Sequence, residues 1–147
     1  MIAFNERLDV GFGGPSTAGA PQVPHGWPGC LPPPGSLRFV PSAKAWLFDL
    51  APGRWRLEPV LNRHPELLAR MVRNHLRAGI AAMRLNRESV EEGLLGYLPP
   101  GSVQDAVAMC AQEGERAVAL LEQVKIVEKA LRPLARSSRR AKARSTF

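Results

Sequence analysis

Two stretches of the chain repeat apolar residues at helical spacing. In the first, Leu68, Val72, Leu76, Ile80 and Met83 recur at steps of three and four, widened by Leu67 and Met71. In the second, Val103, Val107, Cys110, Gly114, Ala117, Leu121, Val124, Glu128 and Leu131 alternate steps of four and three, the coiled-coil rhythm, flanked by Val118 and Val127. The first helix is expected to open at Asn62 or His64, with Pro65 in its first turn and Glu66 at its positive end. Its pattern weakens over 84–89, resumes with Val90, Leu94 and Leu95, and stops at Pro99 and Pro100. Ser102 is expected to start the second helix, with Asp105 three residues on in a variant of the capping box. Pro133 is expected to end or kink it after Leu131.

Long helices joined by a short turn run antiparallel. The expected fold is therefore all-α, a long antiparallel helical hairpin over 63–132. With the turn centred near 98–99, residue numbers across the seam sum to about 197. That register sets Arg70 near Glu128, Arg77 near Glu122 and Arg84 near Glu113. Arg70, Arg73, Arg77 and Arg84 share a face that resembles a nucleic-acid stripe. The opposing carboxylates favour a salt-bridged seam, in which each exposed pair contributes only ~0–1 kcal/mol.

The first 44 residues read as a Pro/Gly-rich irregular arm, where proline removes donors and glycine raises the entropic cost of order. Its "LPPP" at 31–34 favours an extended polyproline conformation. The arm is a linker or, with Trp27 and Leu31 as anchors, a ligand for an aromatic-lined groove. "GFGG" at 11–14 lacks the lysine of a phosphate loop. Residues 45–62 form a Trp-containing clasp. There Trp46, Phe48 and Leu50, then Trp55 and Leu57, alternate with polar or smaller positions about "APG", which predicts a short β-hairpin at 45–58. The clasp is expected to cap one end of the helices; the competing reading is an aromatic platform for stacking on bases.

Charge changes the picture at the C-terminus. Of 20 Lys and Arg, six lie in the tail: Arg132, Arg136, Arg139, Arg140, Lys142 and Arg144. No Asp or Glu follows Glu128; the other 14 cations face all 13 acidic residues, a balance of +1 against +7 for the whole chain. Residues 132–147, with the basic tail proper at 133–147, are thus expected to be mobile and to bind RNA or DNA without sequence preference, the arginines gripping phosphate as planar forks. The competing reading is a solvated end that keeps the protein soluble. Only Phe147 supplies an aromatic there.

Little points to catalysis. His25, His64 and His75 lack metal-ligand spacing, and no "HExxH" or paired "CxxC" occurs. His75 borders the apolar stripe as a seam residue, and Cys110 lies on the seam as a small apolar residue. Glu113 and Glu115 lie on different faces; Glu88 and Glu92 share one that reads as solvated. No catalytic residue, metal ligand or cofactor is expected, and the chain is read as not an enzyme. No apolar run approaches the ~20 residues of a membrane span, and "MIAFNERLDV" does not read as an export signal. Cytoplasmic location, with Cys30 and Cys110 as thiols, is the expectation.

The segments "HPELLARMV…HL", "LPPGSV", "EGERAV" and "VKIVEKAL", within residues 46–132, are similar to a group of small, uncharacterised helical-hairpin proteins of high-GC bacteria. The resemblance implies a hairpin and no activity. Two functions follow from the residues. The first is a helical adaptor that self-associates or docks on a helix-rich protein, because two helices alone bury little core. Its candidate interface is Leu68, Val72, Leu76, Ile80, Leu121 and Val124. The second is a nucleic-acid- or ribosome-associated accessory protein that binds through the six tail cations.

Overall fold

The computed structural model describes residues 22–145, which form four α-helices and a 3-10 turn, with no strand among them. The all-α expectation holds. Helix α1 spans Phe39–Leu50, a 3-10 turn Gly53–Leu57, α2 Pro59–Arg63, α3 Pro65–Gly93 and α4 Pro100–Arg144. The first 21 residues, with "GFGG" and nearly half of the expected arm, lie outside the described residues, as does Phe147.

The long helices start at prolines. Pro65 and Pro100 each occupy the first turn, where the missing N–H costs nothing, and Glu66 complements the α3 start. Neither start has a side-chain cap. His64 precedes α3 and Pro99 precedes α4, so the expected caps by Asn62, His64 and Ser102 are not made. In the connection, the Tyr97 and Leu98 amides both donate to the Leu94 carbonyl, at 3.1 and 3.2 Å. Gly96 sits there at φ +97°, a conformation that a side chain would strain.

The α3–α4 register matches the expected sum. A Cβ placed on Gly114 would lie 3.9 Å from the Met83 Cβ, and those numbers sum to 197. The core sits at the end remote from the turn. Leu68, Val72, Leu121, Val124, Val127 and Leu131 close the seam there, under Phe39, Ala43 and Leu47 of α1. Phe39, Ala43 and Leu47 are fully buried. They recur every four residues, so one face of α1 lies on the hairpin.

Residues 45–58 are therefore not a β-hairpin. Trp46, Phe48 and Leu50 do alternate, but Phe39, Ala43 and Leu47 define a helical stripe that continues through them, with Trp46 and Leu50 packed at its edge. The helix ends before Pro52, and the rest of the expected hairpin is the 3-10 turn. The irregular arm ends at Arg38 and not at residue 44.

The arm's last stretch is folded onto the body. Trp27 meets Phe39 with ring centroids 5.3 Å apart, and its Nε1 donates to the Leu31 carbonyl at 3.2 Å. Leu31 and Pro28 are buried. Gly26 adopts φ +78°, and a Cβ there would come within 3.1 Å of Ile126 on α4. Trp27 and Leu31 thus anchor this chain's own core, which withdraws them as anchors for a foreign groove.

Phe39→Ala is expected to destabilise the protein by about 3–5 kcal/mol, because it empties the centre of the three-layer core. Leu37→Ala, at a side chain 98% exposed, should change stability by less than ~0.5 kcal/mol. Urea unfolding of the two variants checks the contrast.

Candidate nucleic-acid interface and the bare outer arm

Helix α4 does not stop at Pro133. It continues to Arg144, and the Ser137 hydroxyl donates to the Pro133 carbonyl at 3.1 Å. Residues 133–144 of the expected basic tail continue helix α4, followed by a turn at Ser145. Proline removes one backbone donor and crowds the carbonyl four residues earlier, at Lys129. Beyond the proline, the exposed Leu134 and half-buried Ala135 border an open groove of about 550 Å³ with Val40 of α1 and Pro65 of α3.

This extension presents its cations on an ordered scaffold. Arg132, Arg136 and Arg139 follow one another at steps of four and three, so they share a face. With Arg70 of α3 they line a second groove of about 440 Å³. Lys44 of α1 and Arg63 of α2 border the first groove beside Arg139 and Lys142. Arg136, Arg139, Arg140 and Arg144 form no ion pair with a carboxylate among the described residues. The six tail cations of the sequence reading thus belong to a larger cationic end. Sequence reasoning missed Lys44, which it read as the end of the arm, and Arg63, which it read as the first residue of the hairpin.

One carboxylate organises this end. Glu128 is 2% exposed. Its Oε2 accepts from Arg73 Nη1 at 2.8 Å and its Oε1 from Arg132 Nη2 at 3.0 Å, with Arg70 Nε 3.8 Å away. Three guanidiniums surround one carboxylate, so the cluster stays net positive. The expected Arg70–Glu128 pair forms; the other two do not. Glu122 pairs with Lys125 at 2.7 Å, and Glu113 with Arg116 at 3.7 Å. Arg77 and Arg84 are exposed, Arg84 at the rim of the space between α3 and α4.

Nearer the turn the hairpin is bare. No residue of α3 beyond Leu76 is buried, and before Leu121 only Val103 and Cys110 of α4 are. An open groove of about 450 Å³ runs between the helices, floored by Ile80, Met83, Cys110, Gly114 and Val118. Leu85 is 66% exposed and Tyr97 85%. The residues expected as an intermolecular interface lie mostly elsewhere. Leu68, Val72, Leu76, Leu121 and Val124 are buried inside this chain and Ile80 is half-buried, because α1 supplies the covering layer expected from a partner.

His75 is exposed, with Trp55 edge-on at 5.7 Å, and is not a seam residue. Cys110 is buried as the seam pattern implies, and Cys30 is an exposed free thiol. No group of three His, Cys, Asp or Glu among the described residues converges as a metal site would require. No helix among them is long and apolar enough to cross a membrane. Comparison of the chain with protein families, curated proteins and solved structures finds no match.

Glu128→Ala is expected to cost about 3–5 kcal/mol, because it strands the partly buried Arg73 guanidinium. Glu122→Ala breaks an exposed pair and should cost under ~1 kcal/mol. Thermal or urea denaturation distinguishes the two.

Proposed function

We propose that the chain is a non-enzymatic accessory protein that grips nucleic acid through its cationic end. The observation that carries this reading is the run of seven cations from Lys129 to Arg144 with no carboxylate among them, held on one helix. Guanidiniums on an ordered scaffold meet phosphate with less entropy to lose than those on a random tail. Lys44, Arg63 and Arg70 widen the surface beyond a single helix face. Such contacts follow the phosphate backbone and do not read bases, so binding is insensitive to sequence.

A second reading, the helical adaptor that docks on itself or on another helix-rich protein, is supported by the open groove of the outer arm. Small residues at Ala111 and Gly114 there leave room for a helix to approach. The two readings use opposite ends of the molecule and do not exclude each other.

Replacing Arg136, Arg139 and Arg140 together with Ala is expected to weaken binding to a short mixed-sequence single-stranded RNA. The plot of log K against log salt should become shallower by about 2, at ~0.7 per lost phosphate contact on a single strand. Helicity by circular dichroism, measured alongside, separates lost contacts from a melted extension. Binding as tight and as salt-sensitive as that of the unaltered chain would refute the proposal.

A further inference from the structure

The hairpin is electrically polarised along its length. From Glu88 to Glu115, around the turn, the chain holds six carboxylates and no cation. From Arg116 onward there are nine cations against two carboxylates. The α3 half before the turn repeats the division, with Arg70, Arg73, Arg77, Arg84 and Arg87 preceding Glu88, Glu91 and Glu92. In α3 this order opposes the helix dipole, which favours anions at the start and cations at the end. Antiparallel α4 brings Asp105, Glu113 and Glu115 to the same acidic end, and there the order agrees with the dipole of α4, whose positive start lies at that end.

The unpaired charges of α3 lie where a partner can reach them. Arg77, Arg84, Glu88 and Glu92 are exposed and form no ion pair among the described residues. At steps of four and seven they fall on one face of α3, with exposed Ala81 and Leu85 between them. Reversed end for end, this face is its own complement: cations at 77 and 84 exchange places with anions at 92 and 88 about a centre near Leu85. Arg84 also borders the open groove of Ile80, Met83, Cys110 and Gly114. A helix pair laid antiparallel on this side covers apolar surface and neutralises charge together.

We infer that the outer arm is a self-association surface. Two copies pack antiparallel through the outer halves of their hairpins, with Glu88 and Glu92 of each copy against Arg84 and Arg77 of the other, forming a four-helix bundle about a two-fold axis near Leu85. This rests on the adaptor reading of the outer arm and not on nucleic-acid binding. A two-fold contact must be self-complementary, and the α3 face meets that condition. The bundle also sets the two cationic ends at opposite extremes, so one dimer offers two separated grips to a polyanion.

The test is sedimentation of the full chain, freed of nucleic acid, with two charge-reversed variants. Arg77→Glu with Arg84→Glu makes the α3 face wholly acidic; Glu88→Arg with Glu92→Arg makes it wholly basic. The unaltered chain is expected to dimerise. Each variant alone should self-associate at least about tenfold more weakly, and a mixture of the two should restore a one-to-one dimer. Restoration by mixing cannot come from misfolding. A monomeric unaltered chain, a dimer indifferent to the reversals, or a mixture that stays monomeric overturns the inference. RNA binding by the same samples reports on the cationic end separately: a monomer that still grips RNA sinks only the dimer.

Discussion

The structure depends on α1 lying across one half of the α3–α4 seam. Two helices side by side leave both edges of their contact open to water, so the apolar stripe of each is only partly covered. Phe39, Ala43 and Leu47 supply the missing layer, and Trp27, Pro28 and Leu31 seal it from outside. But α1 has only 12 residues against 29 in α3 and 45 in α4. At about 1.5 Å per residue it covers only part of the hairpin. The rest is necessarily a bare two-helix arm, and it is there that Leu85, Met109 and Val118 face solvent.

Electrostatics follow the same division. At the covered end, burial of Glu128 is tolerated because Arg73 and Arg132 donate to both of its oxygens. That cluster ties α3 to α4 where the basic extension begins, and so fixes the direction in which α4 carries its arginines past the core. At the bare end carboxylates prevail, six of them from Glu88 to Glu115 with no cation in that stretch. One helical hairpin thus has a stable, cationic end and a lightly packed, acidic one, and each proposed function uses one of them.

The hairpin was legible in the sequence because its signals are local and repeated. The alternating four-and-three seam and the prolines at 99 and 100 predict two helices, a turn and a register, which the Met83–Gly114 approach and the Arg70–Glu128 pair bear out. Helix α1 was not legible. Its decisive residues, Phe39 and Ala43, fall in what reads as a proline-rich arm, and cutting the window at 45 leaves a fragment whose apolar residues alternate as in a strand. Pro133 misled for a related reason. Proline disfavours a helix interior, yet α4 runs past it with the loss of one backbone donor. The tail cations were plain from composition, but Lys44 and Arg63 join them only through the fold. The sign change along α3 at residue 88 is visible in the sequence. Pairing arginines across the seam hid it, since Glu122 and Glu113 pair within α4 and leave Arg77 and Arg84 without them.

The claim that one layer stabilises only half of the hairpin is tested most directly by native-state hydrogen exchange on the full chain at high dilution. Amides of 66–76 and 121–131 should exchange only through global unfolding. Amides of 78–92 and 103–118 should exchange through local opening at much lower free energy, and gain protection as the protein is concentrated. Equal protection along the whole hairpin at high dilution would contradict it, because the outer arm would then be as stable without a covering layer as the inner half is with one.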